Sequence, residues 1–414
     1  MQEEFFTKEL ANGLTLLGQR MGHVSSAAMC LLVPAGAAHD PDAAAGAGSV
    51  ASEWCFRGAG ERNTRQLNEA LDALGCQHDE AVLSEHARFT AAQLGRNLAD
   101  VLAIYADILR RPALGDETFA PSRNIVLQDL ASLEDEPAQK ANLLLRERFF
   151  PWPLGRCAYG EHDALKAMEP GAIREHVGRH FTPAGATIAV AGNLDWDAFC
   201  RAAEVAFGDW QPAEPPAIER EHAAGGVTHL HKDSAQEHIA LAHASVPLAD
   251  KRYYAARTAQ TVLSGGMGSR LFTEVREKRG LVYHVSCRYN ALKDHAGMFT
   301  YAGTRPEVAQ QTFDVTVGEL RRLAEGIEPE ELARAKTQLK SSLVMQGEST
   351  SARARALATD WHHLGRLRSL DEISEATDAV TAKEVVAYLK DCPAERFTVL
   401  VIGPQEIDTG ATDA

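Results

Sequence analysis

The chain carries one design twice. An apolar run ending in proline, Ala27-Ala28-Met29-Cys30-Leu31-Leu32-Val33-Pro34, has a counterpart in Ile239-Ala240-Leu241-Ala242-His243-Ala244-Ser245-Val246-Pro247, with the two prolines 213 positions apart. A second pair closes each half. Phe181-Thr182-Pro183 leads to Thr187-Ile188-Ala189-Val190-Ala191-Gly192, and Pro393 leads to Phe397-Thr398-Val399-Leu400-Val401-Ile402-Gly403, with the glycines 211 positions apart. Apolar, β-branched runs stopped by glycine read as buried strands. The closing runs follow helical stretches at 176–181 and 383–389. Near-equal offsets at both ends of a 414-residue chain mark a duplication, and the period is far too long for a solenoid. The expectation is two homologous domains, 1–208 and 227–414. Between them Trp210-Gln211-Pro212-Ala213-Glu214-Pro215-Pro216-Ala217-Ile218-Glu219-Arg220-Glu221 predicts an extended linker over 209–226.

Within each half, strands alternate with long helices. Leu98, Val101, Leu102, Tyr105 and Leu109 repeat at helical spacing over 97–109. A helical region over 116–149 is interrupted near Pro137, and 329–346 and 351–364 are helical in the second half. The mixture predicts an α+β fold, each domain a mostly antiparallel sheet covered by helices on one face. Composition is that of a soluble globular protein, 45% hydrophobic and 24% charged. The net charge of −15 repels phosphate backbones and argues against nucleic acid as a partner. No run approaches the roughly 18 apolar residues of a membrane span. The start, Met1-Gln2-Glu3-Glu4, is acidic where a signal peptide is basic. Seven scattered cysteines without a Cys-x-x-Cys pair predict free thiols in a reducing cytoplasm.

One segment carries chemistry: Ser264-Gly265-Gly266-Met267-Gly268-Ser269-Arg270-Leu271-Phe272-Thr273-Glu274-Val275-Arg276-Glu277-Lys278-Arg279-Gly280-Leu281-Val282-Tyr283. Positions 270–279 have helical spacing, and Gly280 stops them as a C-terminal glycine does. A strand then runs through Val285, Cys287 and Tyr289. Arg276 and Tyr283 fall at one helix–strand corner, where two donors can converge on a single carbonyl and its developing oxyanion. The alternative is an arginine paired with a nearby acid and a tyrosine packed in a core. The glycine loop lacks the Gly-Lys-Ser/Thr ending of a phosphate cradle and reads as a turn before a helix.

This segment resembles, nearly residue for residue, the substrate-binding signature of the insulinase/pitrilysin class of zinc peptidases. The repeated halves and the linker extend the resemblance over the whole chain. The class needs a second signature, an inverted zinc motif His-x-x-Glu-His, near the N-terminus. Aligned on Phe56-Arg57-Gly58-Ala59, this chain has Ser49 at the first histidine, Ser52 at the catalytic glutamate and Glu53 at the second histidine. The third ligand falls within 124–130, at Asp129. A serine hydroxyl is a poor zinc ligand, and serine cannot serve as a carboxylate base. The resemblance therefore implies a half-clamshell subunit with no metal or cofactor of its own, inactive alone. Its zinc-binding partner would carry the intact His-x-x-Glu-His, and Arg276 and Tyr283 would hold the substrate in trans. The substrate would be an unstructured peptide added to a sheet edge. Heterodimer and homodimer stay open. The rival reading is an inactive scaffold or peptide-binding protein of the same fold. A metal-free hydrolase has no Gly-x-Ser-x-Gly elbow to support it.

Other histidines are candidate ligands by residue type. His176 and His180 share a helix face but lack the His-Glu-x-x-His pattern, so packing is expected. His362 and His363 are adjacent and should point apart. His229, His231 and His238 lie in or beside a strand. His78-Asp79-Glu80 with Glu85-His86 is the remaining cluster, at a spacing foreign to zinc sites.

Overall fold

A computed structural model describes residues 3–214 and 217–410; Met1, Gln2 and the linker prolines Pro215 and Pro216 lie outside the described residues. The strands are β1 Glu4–Glu9, β2 Thr15–Arg20, β3 Ser26–Val33, β4 Gly58–Ala59, β5 Arg62–Asn63, β6 Gln77–Val82, β7 Ala87–Leu94 and β8 Thr187–Gly192 in the first half. The second half has β9 Val227–His231, β10 Glu237–Ser245, β11 Val282–Ala291, β12 Ala296–Thr304 and β13 Thr398–Gly403. Helices of the first half are α1 Ala47–Cys55, α2 Thr64–Ala73, α3 Leu98–Arg110, α4 Asp116–Ser132, α5 Pro137–Phe149, α6 His162–Ala167, α7 Pro170–His180 and α8 Trp196–Phe207. Those of the second are α9 Tyr253–Ser264, α10 Ala309–Arg322, α11 Pro329–Gly347, α12 Thr350–Leu364, α13 Leu370–Ala379 and α14 Ala382–Asp391.

The larger sheets have the orders β1-β2-β8-β3-β7-β6 and β11-β12-β10-β13-β9. Read from opposite ends they are one topology. The parallel pair β2–β8 matches the parallel pair β9–β13, and the antiparallel pairs β8–β3, β3–β7 and β7–β6 match β13–β10, β10–β12 and β12–β11. Strand β1 is an addition of the first sheet. The duplication read from the sequence is thus present in the hydrogen-bonding pattern.

Helices cover these sheets on both faces, not on one. In the first sheet Leu16, Met29, Leu31, Val33, Ile188 and Val190 pack with α1, α3, α7 and α8. The alternate residues Leu17, Ala28, Cys30, Leu32, Ala189 and Ala191 pack under Ala354, Leu357 and Ala358 of α12. Burial on both faces is why these strands read as unbroken apolar runs. The covering helix comes from the other half of the chain. In the second sheet α5 does the same job, lying against β10, β13 and β12, with Phe149 and Phe150 ringed against Phe299 at 5.1 and 5.6 Å. Helices α5 and α12 begin at Pro137 and Thr350, 213 positions apart, so they are the same element of the repeat, traded between halves.

The compact units are accordingly discontinuous. One holds the chain up to Ser132, Arg156–Arg220 and Gln346–Arg368; the other holds Leu133–Gly155, Glu221–Met345 and the chain from Ser369 onward. A division at a single linker does not describe them. The described part of 211–225 has no helix or strand, and is held by backbone bonds from Glu221 to Trp152 and from Gly225 to Arg148. Among the described residues no helix is long and apolar enough to cross a membrane.

Candidate functional site

Helix α1 carries the positions aligned with the zinc motif. Its start is set by Asp40, whose carboxylate accepts from the backbone N–H groups of Gly46 and Gly48, each at 2.9 Å. Burial pushes this carboxyl up to about 7 despite those bonds. Ser49, Ser52 and Glu53 follow at i, i+3 and i+4, so they share one helix face. The Ser49 hydroxyl donates to the Ala158 carbonyl at 2.6 Å. Ser52 is buried, and its hydroxyl has no partner. Glu53 is held by an ion pair with Arg57, one turn on. Across from it on β6, burial first and then the charges of Glu53 and Asp79 push Glu80 up to about 7. Asp129, on α4, is exposed; its carbonyl accepts from Ser132. Helices α1 and α4 pack through Trp54, which stacks edge-on with Phe119 and donates to Thr118 at 2.9 Å.

These residues do not fit a zinc ion. One hydroxyl is committed to a carbonyl, one is sealed in the core, and the glutamate is neutralised by arginine. Among the described residues no group of three His, Cys, Asp or Glu side chains is placed to hold a metal.

The Arg276–Tyr283 corner is built differently. The sequence predicts a helix over 270–279, and a helix is there, but Phe272–Glu277 winds as a π-helix. Such turns carry one extra residue and have no periodicity signature in so short a run. Leu271 and Val275 are fully buried and anchor it. Gly280, at φ +61°, ends it: its N–H bonds to the Arg276 carbonyl at 2.9 Å, and that of Leu281 to Val275 at 3.1 Å. Outside this turn, Glu274 accepts from Lys278 and Arg279 at 2.7 and 2.8 Å, which lowers its carboxyl to about 2. Arg270 makes a two-pronged bond to Glu331, both at 2.7 Å, and a third to the Gly326 carbonyl.

The Arg276 guanidinium lies over the Phe272 ring, 4.9 Å from its centre, and is exposed. Strand β11 slips register between Val282 and His284, so Tyr283 sits in a bulge, 72% exposed. Bulges re-aim side chains. Among the described residues neither the guanidinium nor the phenol makes a hydrogen bond. An acid-paired arginine and a core tyrosine, the bland alternative, are not what this corner contains.

The histidines follow the sequence reading in part: His176 and His180 pack on one face of α7, as expected. His176 and His180 are buried, with rings 4.6 Å apart, and His39 joins them 4.9 Å from His180. They line a cavity of about 360 Å³. His362 and His363 do not diverge: their rings lie 4.9 Å apart, and His362 meets His86 at 4.5 Å and the Glu85 carboxylate at 3.2 Å. The cluster expected at 78–86 is divided. His78 stacks on Phe56, Glu80 faces Glu53, and Glu85 and His86 turn toward α12. The contacts of His39 with His180 and of His86 with His362 join distant segments, which spacing cannot reveal.

Residues 19–156 match the family description "Insulinase (Peptidase family M16)", and residues 167–339 match "Peptidase M16 inactive domain". An uncharacterized zinc protease of Streptomyces coelicolor is 30% identical over 407 residues, covering 95% of this chain and 88% of that protein. One from Rickettsia bellii is 27% identical over 414 residues, covering 98% and 99%. Among solved structures, a peptidase M16 inactive domain from Pseudomonas fluorescens superposes with a TM-score of 0.88 at 21% identity, covering 98% of this chain and 99% of that one. A protease from Helicobacter pylori gives 0.87 at 18%, covering 98% and 100%.

Proposed function

Because the chain belongs to the insulinase family, peptidase family M16, we propose that it is a subunit which performs no zinc chemistry itself. It lends Arg276 and Tyr283 to a partner subunit that carries His-x-x-Glu-His and the metal. The two donors hold the scissile carbonyl of an extended peptide while the partner's site attacks it. The observation that supports this most is the exposed, unbonded state of both groups at a corner built from a π-turn and a bulge. Desolvated donors aimed at a developing oxyanion are among the largest single contributions to peptide hydrolysis.

The test is a reconstituted pair with a zinc-binding subunit. Tyr283→Phe removes one donor and little volume, and kcat is expected to fall roughly a hundred- to a thousandfold. An unchanged kcat, with assembly intact by sizing, makes the chain an inactive scaffold. Purified alone, the chain is expected to hold well under one equivalent of zinc; a full equivalent with chelator-sensitive cleavage overturns the proposal.

A further inference from the structure

Six histidines that the proposed function leaves unused converge in one compact unit. His39, His176 and His180 form one triad, and His86, His362 and His363 the other. Each consecutive pair of rings within a triad is less than 5 Å apart. The triads meet through the backbone: Ala37 and Ala38 donate to the carbonyls of Leu83 and Ser84, and a side chain on Gly36 would strike the N–H of His86 at 2.3 Å. His362 and His363 end α12, the helix traded in from the second half. Its other contacts with the first sheet include the apolar Ala354, Leu357 and Ala358 and the bond from Arg353 to Gln19 on β2.

The charges around the array are few. Glu85 bonds His362. Arg179 stands beside His180, and Glu175 and Glu219 line the cavity. Arg88 on β7 and Arg355 on α12 add positive charge near Cys30. The remaining ion pairs of α12 are satisfied locally, Arg368 with Asp360 and Arg353 with Glu3.

We propose that His86, His362 and His363 form an acid-operated latch: the rings pack against one another and hold the C-terminal end of α12 on the first sheet, and added positive charge drives them apart and frees the helix. Like charges under 5 Å apart in a poorly solvated site repel strongly. His86 is disfavoured as a cation chiefly by burial and then by His362, and its ring is lowered to about 3; His176 is lowered to about 3 and His180 to about 4, again chiefly by burial. Once α12 lifts and the His86 ring meets water, it returns to the ordinary range and takes up a proton. Proton uptake then favours the open form as pH falls below about 6.5.

Hydrogen exchange resolved by mass spectrometry tests this, with rates corrected for the intrinsic effect of pH. Between pH 7.5 and 5, the linkage of His86 alone raises the open population about thirtyfold, seen as faster exchange over α12 and the β3 and β8 amides beneath it. Helix α5, its repeat partner on the other sheet, carries no histidine and is the internal control. Equal acceleration in α5 and α12, or none in α12, overturns the proposal. In the double variant His86→Asn, His362→Gln, the acid response of α12 is expected to fall to the level of α5; retention of the full response also overturns it.

Discussion

At the scale of single residues, Ser52 carries a plain stability prediction. Its hydroxyl is buried and, among the described residues, without a partner. An orphaned buried hydroxyl costs about 1–3 kcal/mol. Ser52→Ala is therefore expected to leave stability unchanged or raise it by about 1 kcal/mol, read from urea unfolding. A clear loss would mean that the hydroxyl is bonded in solution. Arg270 behaves oppositely. It is largely buried with Glu331 as its bidentate partner, so Arg270→Ala leaves a partly buried carboxylate with, among the described residues, only the Glu328 N–H as donor. The expected loss is about 3 kcal/mol, with the π-turn displaced; a loss below 1 kcal/mol would show that the pair does not anchor it. Residue identities make the shared helix face of Ser49, Ser52 and Glu53 legible, since their spacing is i, i+3 and i+4. The exposure of Tyr283 was not legible, because a one-residue slip in strand pairing leaves no mark in composition. His39 likewise reaches His180 only through the fold.

At the scale of elements, the strands were readable because burial on both faces writes them as continuous apolar runs. The helices were readable from their spacing. Their destinations were not. The apolar stripe of a helix states that it must be covered, not by which sheet, and α5 and α12 each go to the sheet of the opposite half. Leu357, on the stripe of α12, is 1% exposed. Leu357→Ala is expected to cost about 2–5 kcal/mol and to deprotect β3 and β8 in hydrogen exchange while sparing β10 and β13. Uniform deprotection of both sheets would mean that the loss is not local. Gly280 ends its turn in a left-handed conformation; Gly280→Ala is expected to cost about 1 kcal/mol in urea unfolding.

At the scale of the molecule, the exchange decides whether the halves can be separated. Expressed alone, residues 1–220 lack α12 and leave Leu17, Met21, Ala28, Cys30 and Leu32 uncovered on one face of the sheet. An apolar sheet face of that kind aggregates. The two fragments 1–220 and 221–414 are expected to be insoluble singly and to co-purify when expressed together. A soluble, cooperatively unfolding 1–220 fragment would show that the exchanged helix is dispensable.

The traded helices also set a schedule for synthesis. Arg353 bonds Gln19 across 334 residues, so the first sheet waits for α12 to leave the ribosome. The second sheet waits for β13, at Thr398–Gly403. An emerging polypeptide normally completes its N-terminal domain while the rest is being made. Here neither unit is finished until translation is nearly over, and the nascent chain carries an open, apolar sheet for most of that time. Premature stop codons before the end of α12 at Leu364 would release chains with neither unit complete, and the demand for a chaperone during synthesis is built into the topology itself.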